Sequence, residues 1–217
     1  MLDVHAPHEP IIGWKDFLLH LFTITVGLLI ALGLEGLVEW QHHRHLVHEA
    51  EVSLHGEIKR NADSLKETLD GLHKEQADLK HDVAVLKGVI ATGKMPEHGN
   101  MAIGFAIHTF DGVAWKTAQA TGAFAYMPYA QAQEYASIYA TQDELAESEH
   151  AAARDTIVSL APFMNAEDKD PDPTKAEVQA MKEKIEVLQG QLLLVESLMK
   201  TLDEEYKKFL AAHPNDQ

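Results

Sequence analysis

The feature that most constrains this chain is an uncharged, almost wholly apolar run near its N-terminus. Residues 17–38 read FLLHLFTITVGLLIALGLEGLV, and residues 17–34 contain no Asp, Glu, Lys or Arg. An α-helix of that uncharged length spans about 27 Å, close to the ~30 Å hydrocarbon core of a bilayer. Trp14 and Trp40 flank the run, where amphipathic rings lie at membrane–water interfaces. The pattern predicts a transmembrane helix over residues 17–38.

Two other interpretations of the run stay open at this point. A buried core helix is one, because the uncharged stretch is at the short end for a span. A cleaved signal peptide is the other, since Ala31-Leu32-Gly33 resembles a small-residue cleavage site. Two features favour the span: the residues before the run are not a basic region, and His20 and Glu35 lie towards its two ends.

Charge and cysteine content exclude several functions. Acidic residues outnumber basic ones 34 to 18, which gives a formal charge of −16. Nucleic acid is therefore not an expected partner, because phosphate binding needs a basic face. The absence of cysteine excludes disulfides, thiolate metal sites and a cysteine nucleophile. The lipid bilayer is the first expected partner.

A heptad repeat follows the apolar run and predicts one long helix to about Thr92, ended by Gly93. Gln76 is the long polar residue at an a position, a type that fixes register. The d positions are Ile58, Leu65, Leu72, Leu79 and Leu86, and the a positions are Ala62, Leu69, Gln76, Val83 and Ile90.

The middle of the chain is rich in aromatic residues and has short helical signals. Asp111 is expected to cap a helix over residues 112–121, which Gly122 closes. Pro128 suits the first turn of a helix that runs to about Leu160, with Pro162 beyond its end.

A second heptad helix is predicted at the C-terminal end. Thr174 and Glu177 form a capping box at its start. Its apolar positions are Val178, Met181, Ile185, Leu188, Leu192, Val195, Met199, Leu202, Tyr206 and Phe209.

These patterns divide the chain into seven parts. They are an arm (1–16), the transmembrane helix (17–38), a juxtamembrane and heptad helix (39–92), an aromatic-rich helical segment (93–165), a linker (166–174), a heptad helix (175–212) and a tail (213–217).

The predicted fold class is all-α. One N-terminal transmembrane helix continues into a long heptad helix, and the ectodomain is an antiparallel coiled coil or helical bundle. The aromatic-rich segment is expected at the membrane-distal tip or folded back along the helix pair. A parallel homodimeric coiled coil is the competing arrangement, and a four-helix assembly accommodates both.

Two stretches resemble a group of uncharacterised bacterial membrane-anchored proteins. They are ITVGLLIALGLEGLVEW followed by HHRH, and AWKTAQATGAFAYMPYAQAQEYASIYATQDEL. In that group a single span near the N-terminus precedes a helical region with a tryptophan–glycine helix–turn motif. Here the motif is Trp115, Ala118, Gly122 and Ala123, followed by Tyr135 and Tyr139. The resemblance implies an anchored bacterial helical protein and supplies no catalytic residue.

No sequence motif for catalysis is present. The chain has no His-Glu-x-x-His, P-loop, Gly-x-Ser-x-Gly or dinucleotide glycine fingerprint. We therefore expect neither an enzyme nor a cofactor. The juxtamembrane residues His42, His45 and His48 are candidate metal ligands, because imidazoles three apart on a helix can share one ion. An interfacial polar collar is the alternative for them.

The expected function is that of a membrane-anchored interaction or scaffold protein of the bacterial envelope. The alternative is an envelope sensor or a ligand- or metal-binding module that uses the juxtamembrane histidines or the aromatic segment. We expect a homo-oligomer with a further, unidentified protein partner, in the bacterial inner membrane with the C-terminal part in the periplasm. The candidate interaction residues are Gly27, Ala31, Trp115, Gly122, Tyr135 and Tyr139.

Overall fold

The computed structural model describes residues 13–94, 101, 106–164 and 173–214. In these ranges the chain forms four α-helices and one 3₁₀ turn, and no strand. The elements are α1 (Trp14–Thr92), α2 (Val113–Thr121), the 3₁₀ turn (Ala123–Ala125), α3 (Tyr129–Met164) and α4 (Lys175–Ala212). The prediction of an all-α chain is confirmed for the described residues.

The chain divides into two compact units, the N-terminal unit (Met1–His48) and the C-terminal unit (Glu49–Gln217). The N-terminal unit contains the apolar part of α1. This helix is long and apolar enough to cross a membrane, and none of its most apolar stretch is buried. That agrees with the predicted N-terminal span. Most of the predicted arm, residues 1–12, lies outside the described residues.

Helix α1 ends at Thr92, just before Gly93, as the sequence predicts. Gly93 has φ 71°, a left-handed conformation that glycine adopts without strain, and its N–H donates to the Val89 carbonyl at 2.8 Å. Within the C-terminal unit all five predicted d positions of α1 are buried. The a positions are half-buried, except Val83, which is buried.

Hydrogen bonds between the long helices give their order in the C-terminal unit. Along α1 and α3 the residue numbers rise together, because Glu51 accepts from Gln131 at 2.8 Å and Glu57 accepts from Tyr139 at 2.6 Å. Along α3 and α4 the residue numbers of one helix rise while those of the other fall, so these helices are antiparallel. The contacts there are Ser137 with Glu205, Tyr206 with Gln142, and Gln191 with Asp155.

Contacts between α1 and α4 pair the first residues of the unit with the last. The ring of His55 lies 2.9 Å from the His213 carbonyl oxygen. Further along α1, Gln76 donates to Glu196 at 2.8 Å and to the Leu192 carbonyl at 3.4 Å. The apolar positions of α4 are buried along its length, apart from half-buried Met181. The predicted capping box of Thr174 and Glu177 is present.

Residues 106–112, which precede α2, run back along α1 and are called here the returning segment. The Ala106 N–H donates to Glu75 at 3.1 Å, and the Asp111 N–H donates to Asn61 at 3.0 Å. The next helix begins beside Glu57, one further turn towards the start of the unit. This segment therefore brings the chain to the level of α1 at which α2 starts.

Two helix boundaries differ from the sequence-based expectation. Asp111 does not cap α2: the N-cap residue is Gly112, without a side-chain cap bond, because the Asp111 backbone is held by Asn61 and Gln142. Helix α3 continues through Pro162 to Met164 instead of ending near Leu160. Proline removes one intrahelical bond but its fixed φ remains helical, so this helix tolerates it in the last turn.

Candidate functional site

The candidate residues in the N-terminal unit lie on an open helix surface. Gly27 and Ala31 are exposed, and a Cβ atom built on Gly27 meets no described atom within 4 Å. One helical turn separates them, so they form a small-residue surface on α1. The nearby histidines His42, His45 and His48 are exposed.

No metal centre forms in the described part of the chain. No group of three or more His, Asp or Glu side chains there is arranged to hold a metal ion. The rings of His42 and His43 lie 6.1 Å apart, centroid to centroid.

The tryptophan–glycine motif forms a tight turn in the C-terminal unit. Gly122 ends α2 with φ 75° and its N–H donates to carbonyls of the last turn. A residue with a Cβ atom is strained at that φ, so glycine suits this position. The turn brings Phe124 back to Trp115, with ring centroids 4.8 Å apart. Ala118 and Ala123 are buried beneath it.

The two candidate tyrosines lie in the core and connect α2, α3 and α4. Tyr139 stacks on half-buried Trp115, with centroids 4.9 Å apart and planes within 11°. The Tyr135 ring packs against the rings of Phe124 and of Phe209 in α4, with centroids 6.4 Å and 5.2 Å apart. Tyr135 is 0% exposed and Tyr139 is 2% exposed. Four of the six candidate interaction residues are thus brought together, and the tyrosine rings contribute to packing inside the bundle.

Glu57 of α1 connects this motif to the first helix. Its carboxylate accepts from the Ala114 N–H at 2.7 Å, the Trp115 N–H at 3.4 Å and the Tyr139 hydroxyl at 2.6 Å. Because the first turn of α2 has no partners for these N–H groups, a buried carboxylate from α1 acts as its cap. Burial and the bond to Glu57 raise the pKa of Tyr139, so its hydroxyl stays protonated and donates.

A second polar cluster fixes the end of the returning segment. The Asn61 side chain both donates to the Asp111 carbonyl at 2.8 Å and accepts from the Asp111 N–H at 3.0 Å. Gln142 donates to the same carbonyl at 2.9 Å and accepts from Tyr206 at 2.9 Å. Side chains from α1 and α3 thus converge on one backbone unit, and Tyr206 of α4 bonds to one of these side chains. Asn61 and Gln142 are both buried.

A third cluster contains two carboxylates with raised pKa. Glu149 is 0% exposed and lies 3.1 Å from the His108 ring, while Glu75 holds the Ala106 N–H. The second oxygen of each carboxylate has no hydrogen-bond partner among the described residues. Burial raises the pKa of Glu149 and of Glu75, and His108 opposes part of that rise in both.

Helix α1 has a second buried face that the heptad pattern does not reveal, called here the polar face. Its positions repeat every seven residues, one place before the a positions of the heptad. They are Leu54, Asn61, Thr68, Glu75, Asp82 and Val89, all buried except half-buried Glu75. Four of the six are polar, so the apolar heptad pattern does not include them. The apolar residues at the two ends of the series were the available signal.

Chemically, the three clusters hold segments together. Their donors and acceptors are directed at backbone N–H groups, carbonyls and side chains of neighbouring segments, which is how buried polar groups are normally satisfied. Searches of protein-family models, curated proteins and solved structures find no match to this chain.

Proposed function

We propose that this chain is a single-pass membrane protein whose helical C-terminal unit serves as an interaction or scaffold module of the bacterial envelope. One observation carries the proposal. From Trp14 to Trp40 the large apolar side chains are 43–74% exposed, apart from half-buried Val26. A surface of this size is far larger than the apolar patches that soluble monomers leave in water, and a bilayer would cover it.

The C-terminal unit acts, in this proposal, as an antiparallel coiled coil of α1 and α4 with α3 and the returning segment packed on it. The pairs His55–His213 and Gln76–Glu196 support it, because their numbers run in opposite directions. Gln76 is the polar a position, and its bonds to α4 favour this register. Lys200, then Gln76, lower the pKa of Glu196 to about 2, so this carboxylate stays an ionised acceptor.

The scaffold role, as opposed to catalysis, is supported by how the buried polar groups are used. Glu57, Asn61 and Gln142 direct their side chains at neighbouring backbone and side-chain groups. Such networks give rigidity and a unique arrangement. The resemblance of the span and of the tryptophan–glycine motif to bacterial membrane-anchored proteins supports the envelope assignment.

We further propose that the N-terminus is cytoplasmic and residues 41–217 are periplasmic. The basic residues near the span nearly balance, with Lys15 before it and Arg44 after it. The acidic composition of the chain favours export, because anionic cytoplasmic lipid repels such a surface.

Fusions after Gln217 test membrane insertion and orientation together. Alkaline phosphatase is active only after export, whereas green fluorescent protein fluoresces when it folds in the cytoplasm. We expect an active phosphatase fusion and a dark fluorescent fusion. Bright fluorescence with inactive phosphatase would place the helical unit in the cytoplasm. The same fusions with residues 14–38 deleted serve as the control, and we expect their phosphatase activity to be lost.

A further inference from the structure

An exposed apolar patch lies on α3 and α4, outside the three polar clusters. It comprises Val158, Val187 and Leu194, with Ile157 and Leu193 beside them in the chain, each 56–70% exposed, and is called here the α3–α4 patch. Val158 and Val187 line a common cleft of about 270 Å³, so the two helices contribute to one surface. Val187, Gly190 and Leu194 follow at spacings of three and four, which places them on one face of α4.

The packing of the C-terminal unit does not account for the patch. The heptad positions of α4 supply its core, and the patch residues lie between them on the outer face. Further along the same face the residues are polar, namely Ser197 and Thr201. A local change from polar to apolar residues on an outer helix face is typical of a contact surface.

The charges around the patch are of both signs. Arg154 and Lys184 line the cleft, and neither has an ion-pair partner among the described residues. Asp155 also lines the cleft, and exposed Glu183 precedes Lys184. A surface with both signs can pair with its own copy, because each cation can meet an acidic group of the other copy. A purely acidic partner would leave Asp155 and Glu183 opposed by like charge.

We infer that the α3–α4 patch is an interface between two copies of this chain. The inference rests on the proposed membrane anchoring. Two copies anchored in one bilayer share an orientation and a high effective concentration, so even a small surface suffices for pairing. Two-fold symmetric pairing of the C-terminal units places each patch against its counterpart. Gly190 lies in open space at the centre of the patch and allows close approach of the two α4 helices.

The lack of native cysteine permits a direct test. Leu194→Cys is made in the full chain, and Lys66→Cys, at an exposed position of α1, is the matched control. Both proteins are oxidised in native membranes and separated by non-reducing electrophoresis. We expect a disulfide-linked dimer with Leu194→Cys and monomer with Lys66→Cys. Equal yields of dimer from the two variants, or monomer from both, would overturn the inference.

A charge substitution tests the same surface without cross-linking. Leu194→Glu should convert the full chain in mild detergent from the dimer mass to the monomer mass by light scattering, with an unchanged circular dichroism spectrum. Lys66→Glu, the control, should leave the dimer intact. A parent chain that is already monomeric contradicts the inference, as does a dimer that survives Leu194→Glu and is cross-linked through Gly27→Cys. Membrane fractionation of the chain is a separate assay. A chain that does not fractionate with membranes would contradict the proposed anchoring, whereas the results above concern only the dimer interface.

Discussion

Two faces of α1 are buried within the C-terminal unit, and they differ in chemistry. One is apolar: Leu72 and the other d positions are at most 2% exposed. The other contains Asn61, Thr68, Glu75 and Asp82 and lies against the returning segment and α3. The apolar face needs only a partner of similar shape, because hydrophobic burial has no direction. The polar face needs a specific donor or acceptor for each group.

The difference shows what each face contributes. The apolar face supplies burial energy, and any well-packed apolar helix can match it. The polar face and the neighbouring Glu57 select one arrangement, because Asn61 and Glu57 accept the backbone N–H groups of residues 111, 114 and 115. The following predictions compare the two faces, starting with the largest expected effect.

A carboxylate placed in the apolar face of α1, or at a buried apolar position of α4, should destabilise the chain most. Leu72→Asp and Leu192→Asp each bury a charge without a partner, which should lower the free energy of unfolding by about 3–5 kcal/mol. Both leucines are at most 1% exposed. Thermal unfolding in detergent, followed by circular dichroism, measures the loss. Ala77→Asp, at an exposed position of α1, is the control and should change little. Parent-like melting of both leucine variants would show that this face is not buried.

Removing the ring that connects α2 to the bundle should have the next largest effect. Trp115→Ala removes the stacking on Tyr139 and the contact with Phe124, and we expect a loss of about 2–4 kcal/mol because the ring is half-buried. Tyr129→Ala is the control, since Tyr129 is 78% exposed. If Trp115→Ala kept full stability but lost binding to a partner, Trp115 would be a contact residue and not part of the core.

Beside the polar face, Glu57→Gln should lower the free energy of unfolding by about 1–3 kcal/mol. The amide keeps the shape of the side chain, but its NH₂ group cannot accept a hydrogen bond. It therefore faces an N–H or O–H donor that now donates to the carboxylate. Glu67→Gln, an exposed position on the same helix, is the matched control and should be neutral. Chemical denaturation of the three proteins gives the comparison. A neutral effect of Glu57→Gln would mean that the cap of α2 contributes nothing to stability.

The smallest expected effect has the opposite sign. The pKa of Glu149 is raised on folding by burial, so its ionised form destabilises the folded chain. That cost is fully present above the folded pKa and disappears as the pH falls to the unfolded pKa of about 4.3. Glu149→Gln should therefore stabilise the chain by about 1 kcal/mol at pH 7–8, with the gain shrinking towards pH 4.5.

Melting temperatures measured between pH 4.5 and pH 8 check this sign. Glu147→Gln, at an exposed position of α3, is the control and should follow the parent at every pH. A destabilised Glu149→Gln variant at pH 8 would mean that the ionised carboxylate is stabilised in the fold, contrary to the account.

Sequence patterns predicted the apolar face well, because periodic leucines and the terminators Gly93 and Gly122 act locally. They also predicted the Thr174–Glu177 capping box, whose two partners are three residues apart. They could not predict the polar face. Asn61 and Asp111 are 50 residues apart, and Glu57 and Tyr139 are 82 apart, so no local pattern connects them. A buried Glu57 is indistinguishable in sequence from a solvated one until its partners are known.

The interaction candidates divide in the same way. The motif of Trp115 and Gly122 was identified through the resemblance to bacterial membrane-anchored proteins, but the burial of Tyr135 and Tyr139 follows from packing between three helices. The α3–α4 patch was not singled out, because Val187 and Leu194 are separated by Gly190 and by the core positions of the heptad.

Extraction of native membranes with alkaline carbonate tests the central claim, membrane anchoring by the apolar part of α1, most directly. Carbonate releases peripheral proteins and leaves spanning helices in the bilayer. The account predicts that the full chain stays in the pellet until detergent is added, whereas a variant lacking residues 14–38 appears in the supernatant. Release of the full chain by carbonate alone would contradict the account.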